Sequence, residues 1–116
     1  MPPHKKLHTI TQELLKVREW EQANLPLVRS ALAYDLIILI AHHTAAGAPL
    51  SLKHLFILLN YSEAGVRKHL RYLISDEWIS FEGVSNDKRI RVVIANPKLI
   101  LSLKEYADML SNVYSN

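Results

Sequence analysis

Arg67, Lys68 and Arg71 fall in one short stretch of the chain, and Lys88, Arg89 and Arg91 fall in another. Clustered guanidinium and ammonium groups bind anions, phosphates above all, through charge-assisted hydrogen bonds. The other candidate sets are poorer. His4 and His8 have the i, i+4 spacing that places two ligands on one helix face, but no third or fourth metal ligand lies nearby in sequence. His42 and His43 point to different sides of a helix, and with Asp35 and the scattered serines they form no nucleophile, base and orienter spacing. Cysteine is absent, which removes thiol catalysis, thiolate metal sites and thiol redox sensing. No glycine-rich phosphate loop is present either. The expectation is a protein without catalytic residues, metal or cofactor, and not an enzyme.

The basic groups stand out only when charge is resolved along the chain. Lys plus Arg number 14 against 11 Asp plus Glu, a net charge of +3, which as a total says little about partners. Within 60–75, however, three basic residues face one acid, within 86–98 four face one, and between them Asp76, Glu77 and Glu82 have no basic neighbour. With 116 residues, 49% apolar and 22% charged, the chain has the composition of one globular domain. It is long enough to bury roughly two-thirds of its unfolded surface.

The elements that position these clusters follow from periodicity. Leu7, Ile10, Leu14 and Val17 step by three, four and three along one seam of a helix reaching about Gln22. A second helix is expected from Pro26 to a stop at Gly47, apolar nearly all round at Leu36-Ile37-Ile38-Leu39-Ile40 and therefore covered on most sides. Ser51 caps a short helix over 52–59. After the turn at Asn60-Tyr61, Ser62 caps another, with Glu63 at its positive end and Val66, Leu70, Leu73 and Ile74 as its inner stripe. Two short helices meeting at a tight turn make a helix-turn-helix. At 100° per residue Ala64, Lys68, Arg71 and Tyr72 then point outward, with Arg67 on the flank and small residues at Ala64 and Gly65 permitting close approach to another surface. The period next changes to two: Ile79 and Phe81 alternate with Ser80 and Glu82, and Ile90, Val92 and Ile94 with Arg89, Arg91 and Val93. This predicts a β-hairpin joined through 83–88. Asn96-Pro97 starts a last helix with Leu99, Leu103, Tyr106, Leu110 and Val113 on one face. Trp20 and Trp78 read as core or interface aromatics.

Leu50-Ser51-Leu52-Lys53-His54-Leu55, the run Tyr61-Ser62-Glu63-Ala64-Gly65-Val66-Arg67-Lys68-His69-Leu70, and Asn86-Asp87-Lys88-Arg89-Ile90-Arg91-Val92-Val93 together resemble a winged helix-turn-helix protein of the multiple-antibiotic-resistance regulator (MarR-like) family. The resemblance covers about 27–99, and its most specific part is the Asp-x-Arg element of the wing, matched by Asp87 and Arg89. It implies that Asp87 positions the wing arginine, that Arg89 enters or lines the minor groove, and that Ser62, Glu63, Ala64, Arg67, Lys68 and Arg71 include the major-groove readers. Where the family usually has Gly between recognition helix and wing, this chain has Glu77, so the helix end is expected to differ. Asn96 replaces the usual Thr before the last helix and caps equally well.

The expected fold is mainly α with a small β-hairpin (α+β), a winged helix-turn-helix with flanking N- and C-terminal dimerisation helices. It is one domain over 1–116, with its N-terminal helix in 1–24, its core in 26–96 and its C-terminal helix in 97–116. The terminal apolar faces can close the monomer core or pair between subunits. The second is favoured, because a three-helix winged domain already covers its own core. The homodimer interface would use Leu7, Ile10, Leu14, Val17, Tyr106, Leu110 and Val113, setting two recognition helices about 34 Å apart on a pseudo-palindromic site. Double-stranded DNA is the expected partner, contacted by Ser62, Glu63, Ala64, Arg67, Lys68, Arg71, Asp87, Lys88, Arg89 and Arg91. The function read from this is sequence-specific binding by a dimeric bacterial-type transcription regulator. The alternative is a winged-helix module that grips a protein partner instead. A small-molecule effector is compatible with the resemblance, but no residue pattern points to one. No apolar run approaches the roughly 20 residues that span a bilayer, and Met1-Pro2-Pro3-His4-Lys5-Lys6 is not followed by a signal-peptide core. A cytoplasmic location is therefore expected.

Overall fold

The computed structural model describes residues 4–27, 30–84 and 87–114; the side chains at 84, 87–90 and 114 lie outside that description. The chain runs α1 (Lys5–Asn24), α2 (Ala31–Ala45), β1 (Leu50–Ser51), α3 (Leu52–Leu58), α4 (Glu63–Ser75), β2 (Ile79–Val84), β3 (Asp87–Ala95) and α5 (Pro97–Tyr114). The mainly helical, winged helix-turn-helix architecture is the expected one. No described helix is long and apolar enough to cross a membrane.

Helix α2 is the centre of the core: Leu36, Ile37 and Ile40 are fully buried, and Leu55 of α3, Val66 and Leu73 of α4, Ile79 and Val93 of the sheet and Leu99 of α5 complete the cluster around it. Its start differs from the expectation. Pro26 does not open the helix. Leu25, Pro26 and Leu27 are buried ahead of it, and the cap is Ser30, whose Oγ accepts the Ala33 N–H at 3.3 Å. A serine that can satisfy an early N–H fixes the boundary better than a proline that only tolerates one. At the other end Gly47 takes φ 73 and donates its N–H to the Thr44 carbonyl at 3.0 Å.

The sheet has three strands in the order β1-β3-β2, one more than the hairpin expected. Leu50 and Ser51 pair with Val93 and Val92, two residues that periodicity cannot detect. The strand phase is also corrected. Ile79 pairs with Ala95 and Phe81 with Val93, so the core face of β3 is Val93 and Ala95, both buried, whereas Val92 and Ile94 are half-buried on the other face. Four successive apolar residues, Val92 to Ala95, carry no alternation, and their partners on β2 decide which face is inward. Most of the expected connecting segment is strand, since β2 reaches Val84 and β3 begins at Asp87; Ser85 and Asn86 lie outside the described residues.

The end of α4 overturns another expectation. Glu77 does take the left-handed turn, at φ 62. Asn96 holds it there: its Nδ2 donates to the Glu77 carbonyl at 3.0 Å, its Oδ1 accepts from Ser80 at 2.8 Å, and its backbone N–H donates to the Trp78 carbonyl at 3.0 Å. Lys98 lies over the Trp78 ring at 4.1 Å and donates to the Asp76 carbonyl.

The flanking helices meet the core through one buried polar chain. Glu21 of α1 is 3% exposed; its carboxylate accepts from Arg18 Nη1 at 3.0 Å and from the Tyr106 hydroxyl, which stands 3.2 Å from the hydroxyl of Tyr34 on α2. Trp20 stacks on Tyr106 with ring centroids 5.4 Å apart. Burial, then the bonds to Glu21 and Tyr34, push the Tyr106 phenol well above its ordinary value near 10.

Two stability measurements test these devices. Glu77→Gly relieves a left-handed strain of roughly 1–2 kcal/mol and loses roughly 0.5–1 kcal/mol to the greater unfolded freedom of glycine, so a net gain of about 0.5–1 kcal/mol is expected in urea unfolding. The raised phenol makes folding most favourable below about pH 10, where both states keep the proton. Above it the unfolded chain ionises first, and stability falls by up to about 1.4 kcal/mol per pH unit from this group. Tyr106→Phe removes that share of the alkaline decline and, by leaving a buried carboxylate short of a donor, lowers stability at neutral pH by roughly 1.5–3 kcal/mol.

Candidate nucleic-acid interface

The helix-turn-helix is assembled by two serine caps. Ser51 Oγ accepts the His54 N–H at 3.2 Å to start α3, and Ser62 Oγ accepts the Gly65 N–H at 3.1 Å to start α4. Between them the turn is tied to α2 by Tyr61, whose hydroxyl donates to Asp35 at 2.6 Å, a bond that holds the phenol above its usual value. Gly65 works inward, not outward. A Cβ there would stand 3.0 Å from Ser62 Oγ and 3.3 Å from Leu32, so its smallness lets the start of α4 close onto α2 and leaves room for its own cap.

Val66, Leu70 and Leu73 anchor α4 in the core, with Ile74 half-buried beside them. The opposite face is as expected from the 3.6-residue period: Ala64, Lys68, Arg71 and Tyr72 are all exposed. Arg67 departs from the others. Its Nε and Nη2 donate to Glu63 Oε1 at 3.1 and 2.8 Å, and its guanidinium lies 4.9 Å from the centroid of Phe56 on α3. Arg67 is thus drawn toward α3 and away from the Lys68 and Arg71 face. Ser62 and Glu63 are occupied respectively as a cap and as the partner of Arg67.

On the wing, Arg91 is exposed. It pairs opposite Gly83, two residues before Val93, so it continues the core face of β3 beyond the point where the sheet leaves the core. The side chains of Asp87, Lys88 and Arg89 lie outside the described residues. Lys53 and His54 of α3, with Phe81 of β2, stand beside Arg67 and Arg91. None of these three is marked as an interface residue by local sequence pattern, although the placement of Phe81 on the Arg91 face follows once the strand phase is known.

The expected subunit seam divides. Leu7, Ile10 and Leu14 are exposed on α1, together with Leu15, whereas Val17 is 6% and Tyr106 8% exposed within the chain's own core. Leu110 and Val113 are half-buried. The radius of gyration is 16.9 Å and the long axis 65 Å, against about 13 Å for the radius of a compact domain of this length. Among the described residues, no group of three or more His, Cys, Asp or Glu side chains could hold a metal ion.

No protein-family model and no curated protein matches the sequence. Solved structures do match. A zinc-responsive MarR family member from Lactococcus lactis, ZitR, is 22% identical with a TM-score of 0.54, over 74% of this chain and 56% of that one, so this chain spans little more than half its length. A mutant MarR from E. coli complexed with operator DNA is 19% identical, with a TM-score of 0.57 over 99% of this chain and 82% of that one. Wild-type MarR from E. coli in its apo form is 16% identical, with a TM-score of 0.60 over 100% and 85%. At these identities the likeness is one of fold, and the chain has the MarR-like winged helix-turn-helix fold.

Proposed function

We propose that this protein is a dimeric regulator that binds double-stranded DNA in a sequence-specific way, with α4 in the major groove and the wing at the backbone and adjacent minor groove. The observation that carries the reading is the outer face of α4: Lys68 and Arg71 are exposed beside the small Ala64, on a helix anchored and capped on its other side. Such a face can enter a groove and reach phosphates and guanine edges. The fold agrees with this, since it is shared with a MarR protein whose structure contains operator DNA.

Base and phosphate contacts come from Lys68 and Arg71, and the wing residues Asp87, Lys88, Arg89 and Arg91 contribute at the neighbouring backbone and minor groove. The exposed stripe of Leu7, Ile10, Leu14 and Leu15 is the surface through which two copies associate, with Leu110 and Val113 at its margin. Val17 and Tyr106 support that surface from inside the chain.

Binding to duplex DNA, followed by fluorescence anisotropy, is expected to weaken steeply with salt, and Lys68→Ala to lower the log–log slope by about one for each bound protomer. Arg71→Ala and Arg89→Ala should each weaken binding; wild-type affinity in both would show that the wrong face has been assigned. No binding at low salt, with a stable protein complex in its place, would select the protein-interaction module. Ile10→Asp places a charge in the exposed stripe and is expected to shift sedimentation from dimer to monomer at micromolar concentration. A wild-type chain that sediments as a monomer would refute the dimer.

A further inference from the structure

Where the start of α3 meets the wing, with Arg67 of α4 at its edge, lies a cleft of about 590 Å³ lined by Leu52 and Phe81 together with Lys53, His54, Arg67 and Arg91. Three separate elements, α3, α4 and β3, bring these four nitrogen-bearing side chains to one opening, and among the described residues no carboxylate lines it. Its placement follows from two local facts. Arg67 is turned toward α3 by Glu63 and Phe56, and Arg91 shares a sheet face with Phe81 because Gly83 and Val93 set the register.

Neighbouring major and minor grooves of a duplex are separated by one sugar-phosphate strand. A duplex that receives α4 in its major groove and the wing at the adjacent minor groove must therefore lead that strand past the gap between them. We infer that the cleft is the seat of this strand, with Lys53, Arg67 and Arg91 contacting successive phosphates and the apolar floor receiving sugar. The inference rests on the DNA-binding reading and adds one thing to it: Arg67, which the family resemblance counts among the major-groove readers, serves the backbone and not the base edges. Its bond to Glu63 joins side chains that are 50% and 62% exposed. A pair of that kind is held weakly enough to be exchanged for a phosphate.

Backbone and base contacts leave different signatures, because a phosphate contact weakens all sequences alike and a base contact changes the preference among them. The test uses two labelled duplexes of equal length, one recovered by randomised-oligonucleotide selection with the wild-type protein and one of random sequence, titrated over a range of salt. Lys53→Gln, Arg67→Ala and Arg91→Ala are each expected to weaken binding to both duplexes by the same factor. Each should also lower the salt slope by about one per bound protomer, with the selected-to-random ratio held within about twofold, whereas Arg71→Ala collapses that ratio. Lys53→Gln alters only an exposed side chain and keeps the test independent of any packing lost at Phe56. If the wild type binds with a steep salt slope and Lys53→Gln and Arg67→Ala retain it, the cleft is not the seat while the DNA reading stands. A collapse of the ratio in Arg67→Ala returns that residue to base reading and overturns the inference. Failure of the wild type to bind either duplex at low salt overturns both.

Discussion

A helix that is apolar nearly all round has to be covered nearly all round, and the arrangement of this protein follows from covering α2. Leu36, Ile37 and Ile40 are shielded from water on every side, each contributing roughly 1.5–3 kcal/mol by the usual scale of side-chain burial. The sheet covers one flank, where Thr44 Oγ1 of α2 accepts the Ala95 N–H of β3 at 3.0 Å. Helices α3 and α4 cover another, with Gly65 allowing the approach of α4 to Leu32. Placing the inner stripe of α4 against α2 leaves its basic face nowhere to go but outward, so the candidate interface is a by-product of core packing and needs no separate device to expose it.

The parts of this fold that were legible in the sequence are those governed by local chemistry. Ser51 and Ser62 each bond an N–H three residues on, and the step of 100° per residue separates Val66 and Leu70 from Lys68 and Arg71 without reference to anything distant. What could not be read depends on partners far along the chain. Strand β1 is two residues whose pairing with Val92 and Val93 crosses some forty positions. The inward face of β3 is chosen by Ile79 and Phe81, because Val92 to Ala95 offers two apolar faces. Glu77 stands where glycine would be expected, and as local physics a non-glycine residue resists a left-handed turn, which is why a different helix end is expected there. The carbonyl it presents to Asn96 nineteen residues later outweighs that resistance.

Charge shows the same division. Periodicity places Arg67 on the flank of α4, and from sequence it is counted with Lys68 and Arg71 as one cluster. Two further contacts separate them: the i, i+4 bond to Glu63 was available to inspection, but the Phe56 ring that draws the guanidinium toward α3 was not. A basic cluster in sequence is therefore two surfaces in space. One is the exposed face of a helix, and the other is the margin of a cleft to which α3 and the wing also contribute.

The buried carboxylate of Glu21 bears on how those surfaces are presented. Removing a charge from water is costly, and a well-packed apolar residue would often serve stability as well or better. What an apolar residue cannot supply is direction. The carboxylate fixes Tyr106 of α5, and the Tyr106 hydroxyl meets Tyr34 on α2, so the angle at which α1 and α5 leave the core is set by hydrogen bonds that tolerate little sliding. In the dimer proposed above, that angle fixes the separation of two α4 helices, and the separation must match one turn of duplex, about 34 Å. In that proposed dimer, a directional polar contact between α1, α5 and α2, bought with some stability, is what would hold the two α4 helices in register.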